Sequence, residues 1–325
     1  MPKMQNRYGV SDVVDSWGEK ENLMAYDNLD DFFRTGLTSM TSVSVSHGNE
    51  NLQTYFSYAN TTGRGIIEGN KLKKHNINLR ETAAMFNKRL KLDGSVNVMK
   101  QTVENKPVSG GFYMNPLVGL YRFPRGQDLS YYKDNFETYD AERKLGVQNW
   151  HTFTEDFEQN PYWIVNRENM GNHKSRYMFS ANLNYKVLDW LNIVGRMRVD
   201  NSFDTYERKI SASSDQLFAS EYGNYLNMKT SYKNTYGDIM AQINKRWEKW
   251  NITANVGGSF NHMIQELTGY EGHLSSVPNL FTFGNIIQSG SNTKATQNGY
   301  IDDNQAIFAT FQLGYNSMAY LDITG

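Results

Sequence analysis

The feature that most constrains the fold is a two-residue alternation of apolar and polar side chains that recurs along the chain. In residues 251–260, Ile252, Ala254, Val256 and Phe260 alternate with asparagine, threonine and serine. The same pattern occurs at 90–98, 177–186, 191–200 and 307–315. Because successive side chains of a strand point to opposite faces, the alternation predicts strands with one apolar and one polar face.

The alternation and the turn signals together predict about ten strands. Several exceed the roughly 5–6 residues that are usual in soluble sheets, and they match a tilted membrane crossing of about 9–11 residues. The predicted strands lie at about 37–47, 52–62, 72–85, 90–102, 174–187, 191–208, 230–246, 251–265, 303–315 and 318–325.

Short and long connections alternate between these strands. The short ones fall at 47–50, 87–89, 188–190, 248–250 and 316–317, and the long ones at about 63–71, 103–173, 209–229 and 266–302. Outer-membrane barrels have tight turns on one side and long loops on the other, whereas a soluble β-sandwich has no reason for this regularity. The sequence therefore predicts an all-β, membrane-spanning antiparallel barrel with long extracellular loops. Aromatic residues near the short turns fit an interfacial girdle: Phe86, Trp190, Trp247, Trp250, Tyr315 and Tyr320.

Composition narrows the possible chemistry. The net charge is −1, so there is no basic field for nucleic acid, and we expect no nucleic-acid partner. The absence of cysteine excludes disulfides and thiolate zinc sites. The six histidines are scattered and form no metal-binding spacing, and no hydrolase or nucleotide-binding motif occurs. We therefore predict no metal, no cofactor and no enzymatic activity. A short basic cluster, Lys71, Lys73, Lys74 and His75, is interpreted as a solvated junction between a loop and a strand.

The long connection 103–173 is rich in aromatic and amide side chains. Flat rings stack on sugar faces and peptide side chains, and amides bind hydroxyl groups, so this composition is typical of a ligand-binding surface. The alternative is that the rings pack the loop against itself and against the rim of the barrel. The candidate ligand-binding residues are Tyr113, Tyr121, Tyr131, Tyr132, Trp150, Tyr162 and Trp163.

Several stretches resemble the SusC/RagA family of TonB-dependent outer-membrane transporters. The similar segments keep the family order from about residue 26 to the end. They include 26–36 at the entry to the barrel, 42–58 at a hairpin, 110–126 and 160–163 in the large outer loop, 189–191 at a turn, and 320–325 in a later strand.

The resemblance implies a role in importing an oligomeric nutrient, a glycan or a peptide, across the bacterial outer membrane. It also implies three partners, which are a TonB complex acting through an N-terminal plug region, a SusD-like surface lipoprotein and the outer-membrane lipid. The family barrel has about 22 strands, so about ten strands constitute a partial barrel. We predict that 1–36 connects plug to barrel, that 37–325 is an N-terminal portion of the barrel, and that the family's plug and signal peptide are not in this sequence.

The resemblance also gives meaning to polar residues on the predicted strands. Asn78, Arg80, Arg196 and Arg198 are expected to face the lumen, where they contact solute or hold the plug through salt bridges. Two other functions stay open at this point, which are a passive porin or adhesion barrel and a soluble all-β carbohydrate-binding protein. The sequence does not identify the substrate or the oligomeric state.

Overall fold

The computed structural model describes residues 24–108, 114–151 and 158–325. Its main feature is one antiparallel sheet of ten strands, in which each strand pairs with the next sheet strand along the chain. This confirms the predicted fold class. The sheet strands are β1 (Leu37–Gly48), β2 (Leu52–Arg64), β3 (Lys71–Met85), β4 (Leu90–Glu104), β7 (Glu168–Leu188), β8 (Leu191–Ser211), β9 (Gly223–Trp247), β10 (Trp250–His273), β11 (Lys294–Tyr315) and β12 (Ala319–Thr324).

The two ends of the sheet differ in their connections. At one end, here called the tight-turn end, β7 and β8 are joined by residues 189–190 and β9 and β10 by residues 248–249. At the other end, the long-loop end, the connections are 65–70, 105–167, 212–222 and 274–293. The predicted alternation of short and long connections is therefore present, and the largest loop is shorter than the predicted 103–173 because β4 and β7 extend into it.

The pairing register sorts the side chains of the sheet into two faces. Leu79 pairs with Val96, Val96 with Phe179, and Phe179 with Val199, so one apolar row crosses four strands. Partners in a ladder share a face, and the pattern repeats in neighbouring rows. The resulting apolar face includes Val43, Val45, Phe56, Tyr58, Ile77, Val98, Tyr177, Met197, Ile239, Val256, Phe260, Ile307 and Phe311.

The apolar face is largely uncovered. Ile239 is 62% exposed and Ile307 is 90% exposed. A continuous uncovered apolar surface of this extent is unfavourable in water and favourable in hydrocarbon. None of the helices in the described ranges is both long and apolar enough to cross a membrane.

Helices and the main hydrophobic core lie at the long-loop end. The helices are α1 (Asn28–Phe32), α2 (Pro116–Arg122), α3 (Ser130–Asp134) and α4 (Pro161–Arg167), and a small hairpin consists of β5 (Glu137–Asp140) and β6 (Leu145–Gln148). We call residues 114–151 and 158–168, which contain α2, α3, α4 and this hairpin, together with residues 212–222, the loop assembly. At the start of α1, the side chain of Asp27 accepts a hydrogen bond from the Asp30 amide.

Residues 24–36 contact the loop assembly. The Tyr26 amide donates to the carbonyl of Arg125. The Asn28 side chain donates to the Gln127 carbonyl and accepts a hydrogen bond from the Leu129 amide. The boundary between residues 36 and 37 coincides with the start of β1. The plug-connection role for 1–36 stays a prediction, and residues 1–23 lie outside the described ranges.

Candidate functional site

Two surfaces carry polar side chains in a position to meet a solute, and the first is the polar face of the sheet. In the register, Arg80 pairs with Ser95, Ser95 with Ser180, and Ser180 with Arg198. Asn78 lies two residues from Arg80 on β3, and Arg196 lies two residues from Arg198 on β8, so all four predicted lumen residues share this face. The register shows that these residues share a face, and the lumen location of that face stays a prediction.

The arginines of the polar face are bound to aspartates on the sheet itself. The Arg80 Nε donates to Asp93 at 2.7 Å, and the Arg196 Nε lies 2.9 Å from the Asp238 carboxylate. Arg198 lies 3.3 Å from Asp200. The carboxylates are more buried than the arginines, whose guanidinium groups stay about half exposed. Each of these three arginines therefore lies beside an aspartate of the sheet, although Asp200 is also bound by Arg176, and the arginine side chains stay partly exposed.

The second surface is the loop assembly, and its geometry begins with two asparagine–proline pairs. Asn115 accepts a hydrogen bond from the Leu117 amide at the start of α2, and Asn160 accepts one from the Tyr162 amide at the start of α4. Asparagine is a favourable N-cap, and proline at the first helical position loses no hydrogen bond. Both asparagine–proline pairs thus begin short helices.

Helices α2 and α4 pack closely against each other. A β-carbon built on Gly119 would lie 2.3 Å from the Gln159 carbonyl oxygen, so only glycine fits in this part of α2. The core that the helices share is mainly aromatic. It consists of Phe32, Ile67, Leu120, Phe123, Leu129, Trp150 and Tyr162.

The predicted ligand-binding aromatics divide into buried and exposed groups. Trp150, Tyr162 and Trp163 are 1–3% exposed and form the core of the loop assembly. This burial favours the packing alternative for these three residues, and a ligand-binding role for them stays a prediction. The physical reason is that short helices are stabilised by burying large rings, and Trp150 and Tyr162 pack in one core with Leu120, Phe123 and Leu129.

The remaining candidates differ from those three. Tyr121 and Tyr131 are 65% and 57% exposed and present their rings at the surface. Tyr132 is half-buried against Trp150, with ring centroids 4.9 Å apart. Tyr113 lies outside the described residues. The structure therefore leaves Tyr121 and Tyr131 as the accessible aromatic candidates among those predicted.

Buried carboxyl groups in the loop assembly were missed by the sequence reasoning. Glu158 is fully buried, with its carboxylate 3.1 Å from Arg122 and 3.2 Å from His151. Glu168, the C-cap residue of α4, accepts a hydrogen bond from Gln159 at 2.8 Å, and burial raises its pKa to about 8. Burial likewise raises the pKa of Tyr162 to about 12. No sequence pattern distinguished these groups from exposed ones, because each is buried by residues distant in the chain.

The loop assembly is joined to the neighbouring loop of the sheet. The Trp163 indole N–H donates to the Ser214 hydroxyl at 2.8 Å, and the backbone N–H of Gln148 donates to the Ser213 hydroxyl oxygen at 3.0 Å. These contacts hold α4 against residues 212–222. Within the described ranges, no group of three or more potential ligands could hold a metal ion.

Comparison with known proteins gives a structural match alone. No protein-family model matches the sequence, and no curated protein matches it either. The structure of the RagAB peptide importer in its open-open state is similar, with a TM-score of 0.67 and 16% sequence identity over 92% of this chain. The structure of the closed-closed state gives a TM-score of 0.64 and 15% identity over 93% of this chain.

These matches define the fold. The chain spans 32% of the length of each of the two solved chains, about a third. At this level of identity the likeness shows a shared fold, and the predicted resemblance to the SusC/RagA transporters is confirmed at that level. The ten-stranded sheet thus has the fold of part of a barrel.

Proposed function

We propose that this chain forms part of the barrel wall of a TonB-dependent importer in the bacterial outer membrane. The observation that carries the proposal is the division of the sheet into a continuous uncovered apolar face and a polar face of paired charges. Lipid solvates the first face and a water-filled lumen solvates the second. The fold shared with the RagAB peptide importer supports the same assignment.

The proposed cargo is an oligomeric nutrient, a glycan or a peptide. Tyr121 and Tyr131 would stack on it at the long-loop end, and Asn78, Arg80, Arg196 and Arg198 would contact the cargo or a plug in the lumen. Because aspartates of the barrel wall already pair with the arginines, the arginines bind an ionic solute weakly. Weak contacts at many positions favour passage, since a solute must leave each site as well as enter it.

The transport partners belong to the proposal as well. They are a TonB complex that supplies energy through a plug and a SusD-like surface lipoprotein that covers the long-loop end. The wall itself performs no covalent chemistry. A passive porin or adhesion barrel would share the membrane fold but would need no energy source, so energy dependence separates the two.

The decisive experiment is uptake by cells that produce the full-length protein containing this chain. Labelled peptide mixtures and labelled oligosaccharides are supplied with and without a protonophore. We expect uptake of one class, abolished by the protonophore and by deletion of the TonB energy complex. Uptake that survives both treatments would establish a passive pore instead, and protein released by alkaline carbonate washing would establish a soluble protein.

A further inference from the structure

At the long-loop end of β2, β3 and β4, the apolar rows of the sheet are followed by positively charged side chains. On β3 and β4, Ile77 pairs with Val98 in the last apolar row, and the next pair on the same face toward the long loops is His75 with Lys100. Lys73 and Lys71 follow on β3, and Lys71 pairs with Arg64 on β2. We call Arg64, Lys71, Lys73 and Lys100 the basic patch, and all four are exposed on the same side as the apolar face.

The height of the patch matches a membrane interface. On the apolar face, the apolar residues of β4 begin at Leu90, immediately after the tight turn, and end at Val98. The ten residue steps from Leu90 to Lys100 span about 33 Å along a strand, which is about 25 Å along the membrane normal at a tilt of about 40°. The apolar band of an outer-membrane barrel is about 25 Å tall, so Lys100 lies at its upper boundary.

The charge of the patch is poorly balanced by the protein. Glu104 is the acidic residue on the same face of β4, and it lies 3.8 Å from Lys71. Lys73 and Lys100 are diagonal neighbours on one face, and within the described ranges neither forms an ion pair with a carboxylate. Like charges side by side are unfavourable unless an anion lies between them.

Hydrogen-bonding groups accompany the lysines at this level. The Tyr58 hydroxyl lies 2.8 Å from His75 Nδ1, and the two rings stack with centroids 6.1 Å apart. A tyrosine ring at the boundary between apolar and charged rows has the amphipathic environment that membrane interfaces provide. The arrangement combines cations, a phenol and an apolar surface directly below them.

We propose that the basic patch binds the phosphate groups of a phosphorylated lipid in the leaflet at the long-loop end. The lipid acyl chains lie on the apolar rows formed by Ile77, Val98 and Tyr177, and the phosphates lie between Lys73 and Lys100. This inference rests on the proposed membrane location and adds a specific lipid site to it. The basic cluster interpreted from sequence as a solvated junction is then a lipid-binding site, with Lys74 excluded because it points to the opposite face.

Because neighbouring residues of a strand point to opposite faces, the lipid site can be tested with one variant on the apolar face and a matched control on the polar face. The double substitution Lys73→Gln with Lys100→Gln removes two charges from the patch on β3 and β4. The control, Lys74→Gln with Lys91→Gln, removes two charges from the same two strands on the polar face. A third variant, Lys73→Arg with Lys100→Arg, keeps the charge.

The experiment uses the full-length protein in nanodiscs that contain a small fraction of bis-phosphorylated lipid A. The protein is then extracted with detergent, and native mass spectrometry counts the lipid molecules that it retains. Each lysine near an anionic surface contributes about a fivefold gain, so the double glutamine variant should retain lipid A about 30-fold less. The control and the arginine variant should retain it as the wild type does. Dephosphorylated lipid A should not distinguish the variants.

Equal retention by the patch variant and the wild type would overturn the lipid site, as would equal loss in the patch and control variants. Folding is checked by the shift in gel mobility on heating. If the double glutamine variant does not fold, the single substitutions Lys73→Gln and Lys100→Gln test the site, and each should retain lipid A about fivefold less. Carbonate extraction separates the two proposals. A protein that stays in the membrane without charge-dependent lipid retention overturns only this inference, whereas a released protein overturns the membrane location as well.

Discussion

Arg196 on β8 holds Asp238 on β9 through a single guanidinium nitrogen, with Nε 3.0 Å from one carboxylate oxygen and 2.9 Å from the other. The two residues pair directly across the ladder, and the Asp238 side chain is fully shielded while Arg196 is 49% exposed. The two partners therefore differ in what each would lose if the other were removed.

That asymmetry predicts unequal effects of the two truncations. Arg196→Ala leaves a shielded carboxylate without its cation and should lower the free energy of unfolding by about 2–3 kcal/mol. Asp238→Ala leaves an arginine that water can solvate and should cost about 1 kcal/mol or less. Urea unfolding of the full-length protein in detergent micelles, followed by tryptophan fluorescence, measures both. Equal costs would contradict the argument from burial.

Glu168 predicts a dependence of stability on pH. Its pKa is raised to about 8 by burial, so the folded state binds a proton more tightly than the unfolded state, where the value is near 4.5. The group's contribution is complete below about pH 4.5 and is lost as the pH rises toward 8. Glu168 lies beyond the apolar rows, in the loop assembly. Its effect should therefore appear as a pH-dependent opening of the loop assembly.

The measurement for Glu168 is hydrogen exchange of the loop assembly between pH 5 and pH 9, after correction for intrinsic exchange rates. Wild-type protection of α4 should decrease across this range. Glu168→Gln resembles the protonated carboxyl group and should remove most of the dependence, while the exposed control Glu142→Gln should keep it. An unchanged profile in Glu168→Gln would assign the pH dependence to other groups.

The strands were largely predictable from sequence, but not all of their ends. At the tight-turn end, β10 was predicted to begin at 251 and begins at Trp250. At the long-loop end, it was predicted to stop at 265 and continues to His273. On the proposed membrane location, the alternation arises because lipid contacts one face only, so it fades where both faces meet water or loops. There the strands continue through backbone pairing and cross-strand ion pairs such as Arg208 with Glu271.

The candidate site was less predictable, because composition does not distinguish a ring that binds a ligand from one that fills a core. Tyr121 and Trp163 lie in similar aromatic, amide-rich surroundings in the sequence, yet the first is 65% exposed and the second 1%. Their difference arises from the packing of α4 against α2 and residues 212–222, which are far apart in the chain. The residues predicted to face the lumen share one face of the sheet, since a period of two fixes the face of a strand residue, and their position in a lumen stays a prediction.

The close contact at Gly119 predicts a local packing defect. Gly119→Ala places a methyl group against the Gln159 carbonyl, and overpacking of this kind typically costs about 1–3 kcal/mol. Limited proteolysis should cut the loop assembly faster in this variant while the heat-shifted gel mobility of the barrel stays normal. Gly284→Ala is the control, because no atom lies within 4 Å of the position of its added carbon. Equal cleavage of the two variants would contradict the close packing.

The exposed tyrosines predict a loss of cargo affinity. Removing one stacking ring typically costs about 0.5–1.5 kcal/mol, so Tyr121→Ala and Tyr131→Ala should each weaken cargo binding by about 2-fold to 12-fold. Tyr162→Phe is the control, since its buried hydroxyl has no hydrogen-bond partner among the described residues. Binding of labelled cargo to the full-length protein measures the effect. Unchanged affinity in both alanine variants would remove these rings from the proposed site.

Adjacent residues on β9 test the membrane location with opposite expectations for lipid and for water. Ile239 is 62% exposed on the apolar face, and Met240 is partly buried on the polar face. In a bilayer, Ile239→Arg near the midplane should cost about 2–4 kcal/mol and reduce assembly into the outer membrane, while Met240→Arg meets a hydrated lumen and is tolerated. In a water-soluble protein the order reverses, because an exposed position accepts arginine and a partly buried one resists it. The yield of heat-modifiable protein in outer-membrane fractions decides between the membrane and the water-soluble alternatives. A larger loss of yield for Met240→Arg than for Ile239→Arg would count against a lipid-facing Ile239.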